Sequence, residues 1–242
     1  MDISYEDVPV SFADGTVVTL RKPLYRVTGL QYGPLHPQTM ISPRVAPPMI
    51  GMGLLEAIAD EDILALADPD DRDGDGISGR PNYGWDAARN RKALTRFGWK
   101  AGQPTVEQQS AFAFAGDMGI SSRLARAGFG DCTAAQGVCR AAPDGSDPTE
   151  GVELPDKMLD LVTFYARNLA VPARRNIDDP AVLRGKKVFY ESGCIACHRP
   201  KFVTRRNSAE PEQSFQLIWP YSDLLLHDMG EGLADGRPEG EA

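Results

Sequence analysis

Residues 193–200 read GCIACHRP, and this string gathers two of the chain's four cysteines and one of its three histidines into five positions. Cys194, Cys197 and His198 form a Cys-x-x-Cys-His cluster, so two thiols and an imidazole must leave a single turn of chain together. Whatever else the chain does, it has to present that turn. The stretch before it, DDPAVLRGKKVFYESG, predicts a short helix with Asp179 as N-cap, Pro180 at the first helical position and Gly193 near its end. The helix delivers its C-terminus directly to the cluster.

Three chemistries use such a cluster. A thioredoxin-like redox pair needs Cys-x-x-Cys beside a βαβ pattern, and none is present. A zinc site needs a fourth ligand. Cys132 and Cys139 are available, but their six-residue gap is not a zinc-knuckle spacing. Covalent haem c fits best: thiols three positions apart reach the two vinyl groups of one porphyrin, and the adjacent imidazole lies under the iron as its proximal ligand. One covalently attached haem is expected, with His198 as the proximal ligand.

The rest of the chain predicts where this turn sits. Residues 7 to 30 read as a β-hairpin, two β-rich runs flanking Asp14-Gly15. Residues 31 to 53 are dense in Pro and Gly and predict irregular chain. GLLEAIADEDILALA predicts an amphipathic helix broken near Asp60 by a fresh cap. In TVEQQSAFAFAGDM (105 to 118), Thr105 with Gln108 three positions on gives a capping box, and LPDKMLDLVTFYARNLA (154 to 170) has apolar residues at helical spacing. The expected fold class is mainly α: a cytochrome c-like haem domain with long loops, preceded by a β-hairpin and a helical segment. The expected divisions are a hairpin extension (1–33), a helical and loop region (34–175) and a C-terminal haem domain (176–242).

Composition excludes some functions. The formal net charge is −8 with acids and bases interspersed, so no basic surface for nucleic acid is expected. No run of about 18 apolar residues is present to form a transmembrane segment. MDISYEDVPV lacks the basic and apolar regions of a signal peptide, yet haem is attached covalently outside the reducing cytosol. The expectation is therefore a periplasmic or otherwise exported, bacterial-type protein whose targeting segment is not in this chain. In that compartment Cys132 and Cys139 form a local disulfide, the alternative being two free thiols. DRDGDG (71 to 76) sets Asp71, Asp73 and Asp75 at alternate positions before Gly, as calcium loops do, but Asn82 stands where the bidentate Glu would be. Calcium and a merely solvated acidic turn both remain open.

DDPAVLRGKKVFYESGCIACHRPKF resembles the C-terminal haem domain of bacterial di-haem peroxidases, and YSDLLLHDMGEG (221 to 232) is similar to the Asp-x-x-x-His-x-x-Gly segment that follows that haem. FGWKAGQPTVEQQSAFAFAGDMG (97 to 119) resembles, more loosely, a Trp-containing stretch that leads to an acid-Met pair. With ISPRVAPPMIGMGLLEAI and DGDGISGRPN, the chain resembles the di-haem, thiol-oxidoreductase-like subgroup.

The resemblance implies an electron-transfer part of a di-haem, peroxidase-like oxidoreductase. Its partner would be an electron donor or acceptor protein, or a second haem domain. It implies that Asp117 moves protons in the peroxidatic pocket and that Trp99 relays electrons between haems. It also makes His227 part of a turn beside the haem, while His227 and Met229 are the nearest candidates for the distal ligand. A di-haem member also carries a first Cys-x-x-Cys-His and continues past DGRPEGEA, so this chain is expected to be the middle of such a protein. The alternative function is a mono-haem electron carrier with no substrate.

Overall fold

Asp14 and Gly15 make the turn they predict. Gly15 takes φ 84°, a left-handed conformation open to glycine, and Asp14 Oδ1 accepts the Thr16 N–H at 2.9 Å. In the computed structural model, which describes residues 1–30 and 33–234, the turn joins β1 (Asp2–Ser11) to β2 (Val17–Arg26). The register sets Asp2 opposite Arg26, Glu6 opposite Lys22 and Asp7 opposite Arg21, so opposite charges face one another across the strands. The hairpin begins five residues earlier than its β-rich runs suggest because these cross-strand pairs extend it. It belongs to a compact unit comprising Met1–Val45 and a stretch from Glu231. Residues 31, 32 and 235–242 lie outside the described residues.

The second unit runs from Ala46 to Gly230. It opens with α1 (Met52–Glu56) and α2 (Asp60–Leu64); the break comes just before Asp60, at an extended Ala59 that caps α2 without a side-chain bond. Then come β3 (Gly79–Arg80) and the antiparallel pair β4 (Tyr83–Asp86) and β5 (Arg91–Leu94). In α3 (Val106–Met118) the Thr105 side chain accepts the Gln108 N–H, as the capping box requires. After α4 (Gly137–Arg140), α5 (Asp156–Asn168) buries Leu159, Thr163 and Ala166, a stripe at helical spacing. The chain ends its regular structure with α6 (Pro180–Glu191), the pair β6 (Phe202–Val203) and β7 (Leu217–Ile218), and β8 (Leu226–His227), which pairs back to β3.

Two small clusters form the core: Ile58, Ile63, Leu94, Phe202 and Ile218 in one, and Met52, Phe97, Val106 and Ala166 in the other. Carbonyls at and just beyond the end of α1 are met by arginines from distant positions. Arg96 donates to Leu55 O at 3.0 Å and Ile58 O at 2.8 Å, and Arg205 to Glu56 O at 3.1 Å and Ile58 O at 2.9 Å.

The mainly α expectation is corrected. Among the described residues, 26% are helical and 18% are in strands, in short pieces, and their arrangement does not identify a cytochrome c-like domain. The periodic segments do fold as helices, but they are short. Between them lie two- and four-residue strands, too brief to leave an alternating pattern, and one pair, β3 with β8, joins distant positions. Among the described residues, no helix is long and apolar enough to cross a membrane.

Candidate haem-attachment site

The Cys-x-x-Cys-His turn is built by the end of α6. Asp179 caps the helix, its Oδ1 accepting the Ala181 N–H at 2.7 Å, and Pro180 occupies the first turn where no donor is needed. At the other end Gly193 swings into the left-handed region at φ 76°, which stops the helix and starts a tight 3-10 turn over Cys194–Ala196. The His198 N–H closes that turn onto Cys194 O at 2.9 Å. Cys194 is exposed and Cys197 half-buried, and neither is in a disulfide.

His198 is held by its ring. Its Nδ1 lies 3.0 Å from the carbonyl oxygen of Tyr221, an acceptor only, so Nδ1 carries the proton and Nε2 keeps its lone pair. The Phe189 ring stands 6.2 Å from the imidazole and 5.5 Å, edge to face, from Tyr221. Leu183, Val188 and Trp219 are exposed, and α6, although amphipathic, buries none of its residues.

Cys197 is engaged from the opposite direction. The Asp223 N–H donates to Cys197 O at 3.1 Å. The buried carboxylate of Asp223 accepts the Leu225 N–H on Oδ1 at 3.0 Å and meets His227 Nε2 on Oδ2 at 2.7 Å. His227 Nδ1 in turn lies 3.8 Å from Cys197 Sγ. Burial pushes the Cys197 thiol up from its ordinary pKa, and the negative charges of Asp223 and Asp75 push in the same direction. Both ring nitrogens of His227 are thus engaged, whereas Met229 is exposed.

The short β3–β8 ladder sets Gly79 opposite His227 and so brings the acidic loop towards this cluster. Carboxylate oxygens of Asp71, Asp73 and Asp75 lie within 4.8 Å of one another, with Asp71 half-buried and the other two exposed. The turn is also satisfied by its own backbone: Asp71 accepts the Gly76 N–H, Asp73 that of Asp75, and Asp75 that of Ile77.

The remaining candidates lie on other elements. Asp117 is exposed in the last turn of α3, and Trp99 is exposed in the turn after β5. Cys132 and Cys139 form a disulfide at α4, with Cα atoms 5.9 Å apart. Sequence reasoning did not single out Tyr221 or Asp223 as site residues. The one signal for Asp223 was its place four residues before His227.

The family model described as "di-haem oxidoreductase, putative peroxidase" matches residues 1–242. The chain belongs to this family. No curated protein and no solved structure matches it. Membership makes haem the cofactor of this di-haem oxidoreductase family, and the residues at the end of α6 fit that group. Two unbonded thiols flank the turn, an imidazole offers Nε2 with its tautomer fixed by a carbonyl, and the Phe189 ring stands beside it. Within this di-haem oxidoreductase chain, the sequence contains one Cys-x-x-Cys-His.

Proposed function

We propose that the chain holds one haem c covalently through Cys194 and Cys197, with His198 as the proximal ligand, and passes electrons within a peroxidase-type di-haem oxidoreductase. The observation that carries this reading is the 3.0 Å contact between His198 Nδ1 and Tyr221 O. A metal-ligating histidine typically gives its second ring N–H to a carbonyl or carboxylate, which orients the ring and raises the basicity of the free nitrogen. When bound, haem supplies reversible one-electron chemistry, and with an open coordination position the reduction of peroxide.

The chain's own residues hold and shield. Cys194 and Cys197 would anchor the group by thioethers, the Tyr221 carbonyl fixes the His198 ring, and Phe189 packs beside it. Of the two distal candidates, Met229 is exposed whereas His227 has both nitrogens engaged, which favours Met229. Asp117 lies in the last turn of α3, where the helix dipole disfavours a carboxylate. Helix stability does not account for it, and we assign it the transfer of a proton between the oxygens of a peroxide substrate. Trp99 is assigned the relay between haems, with a second haem domain or an electron-carrier protein as partner. The Cys132–Cys139 disulfide supports work in an oxidising, extracytosolic compartment.

The test is expression of the full chain with cytochrome c maturation factors. A pyridine haemochrome spectrum is expected to show one haem per chain with both vinyl groups saturated. His198→Ala should keep the covalent haem but change its ligand-field spectrum. Absence of covalent haem from the wild-type chain would overturn the reading. An Asp117→Asn chain that turns over peroxide at the wild-type rate would remove Asp117 from it.

A further inference from the structure

The two thiols of the attachment turn are not equivalent, and the difference lies in three groups outside the motif. Cys194 is exposed, while Cys197 is clasped twice by the segment that carries Asp223 and His227. The main chain of Asp223 donates to the Cys197 carbonyl at 3.1 Å. Its carboxylate, which can only accept, stands 2.7 Å from His227 Nε2, so the His227 proton sits on Nε2. Nδ1 is therefore an acceptor, and the group facing it at 3.8 Å is the Cys197 thiol. The S–H bond consequently points at His227.

We propose that Asp223 and His227 are positioning residues for Cys197, fixing the direction of its S–H so that this sulfur stays a free thiol and is presented for thioether formation. The proposal rests on the reading of Cys194 and Cys197 as haem-attachment thiols. Attachment adds the Cys197 S–H across a vinyl double bond: an S–C and a C–H bond form while the S–H bond and the C=C π bond are lost. No oxidant or reductant is consumed. The competing fate of a Cys-x-x-Cys pair in an oxidising compartment is a disulfide between its own two sulfurs. Holding one thiol against an imidazole turns it away from that partner.

Gly79 belongs to the same device. It is buried opposite His227 in the β3–β8 ladder, and a Cβ there would stand 2.9 Å from Leu225 Cδ1 and 3.3 Å from His227 Cε1. A methyl group at this position would displace Leu225 Cδ1 and crowd the imidazole by a few tenths of an ångström.

Asp223→Asn is the decisive variant because it preserves shape. With the Asn oxygen still accepting from Leu225, its amide faces His227 Nε2 as a donor, the proton moves to Nδ1, and the thiol loses its acceptor. The full chain, wild type and D223N, is matured in cells and purified, and unreacted cysteines are alkylated with iodoacetamide and mapped by mass spectrometry. The pyridine haemochrome α band reports saturation of the vinyl groups independently. The expected result is a several-fold rise in alkylated Cys197 with Cys194 unchanged, and an α band shifted to longer wavelength. Gly79→Ala should do the same with Asp223 and His227 intact. A D223N chain in which Cys197 is as fully attached as in the wild type overturns the proposal. So does equal alkylation of both cysteines, which would mean a general loss of structure. A wild-type chain without covalent haem would sink the haem reading itself, and this proposal with it.

Discussion

The side chain of Glu153 gathers groups from two loops. Its Oε2 accepts from Ser121 N at 2.8 Å and Ser121 Oγ at 3.0 Å, and its Oε1 accepts from Gly145 N at 2.9 Å. These bonds, led by the Ser121 amide, hold its carboxyl below the ordinary value of 4.5. A carboxylate with a lowered folded pKa stabilises fully above its unfolded value and loses that contribution as the pH falls through the folded one. Glu153→Gln is therefore expected to melt a few degrees lower at neutral pH, and the gap should close on acidification below the usual carboxylate range. Thermal melts of both chains across that range check it. Legibility at this level was uneven. Cys194, Cys197 and His198 announce themselves by spacing, but Tyr221 acts through a backbone carbonyl, which any residue could supply. Asp223 is marked in the sequence only by its place four residues before His227, and its 2.7 Å contact with that ring is seen only in the folded chain.

The short helix α1 depends on groups far from it in sequence. Glu56 at its end accepts from Val106 N at 2.9 Å and from Arg167 Nε at 2.6 Å, while Arg96, itself almost fully buried, serves the carbonyls beyond and pairs with Asp60. Removing Arg96 would leave Arg205 alone on the Ile58 carbonyl, take one donor from Leu55 O and break the ion pair to Asp60. Arg96→Met is expected to cost about 3 kcal/mol in chemical denaturation. Gly53, on the same helix, is buried where a Cβ would fall on Arg167 O and Gln213 Nε2. Because one of those atoms is backbone, Gly53→Ala should destabilise by about 2–3 kcal/mol in the same measurement.

Helices with an internal signal, such as α3 with its Thr105 cap and α5 with its apolar stripe, could be read from sequence to within two residues or so. The β3–β8 pair could not. Two residues carry no periodicity, and the pairing of Gly79 with His227 joins positions that only the folded chain brings together. The mainly α expectation failed for that reason: it counted the elements that leave a pattern and missed those that leave none.

Across the whole chain, apolar side chains outnumber the places that bury them. Leu183 and Val188 on α6, Leu161 and Phe164 on α5, and Trp219 beyond β7 are all exposed, although both helices are amphipathic. Natural surfaces carry single exposed apolar residues without consequence, but helices with uncovered stripes are placed to be covered. Haem attached at the end of α6 would cover part of that surface. Covering the equivalent of one aromatic side chain buries about 150–250 Å². At about 25 cal/mol per Å² this contributes about 4–6 kcal/mol, or on the order of 10 °C in melting temperature for a chain of this size. The haem-loaded protein is therefore expected to melt about 10 °C above the Cys194→Ala/Cys197→Ala chain, which cannot attach haem. The unloaded chain should also bind an apolar dye such as ANS more strongly. Equal melting temperatures and equal dye binding would mean that the α6 face is covered by something else.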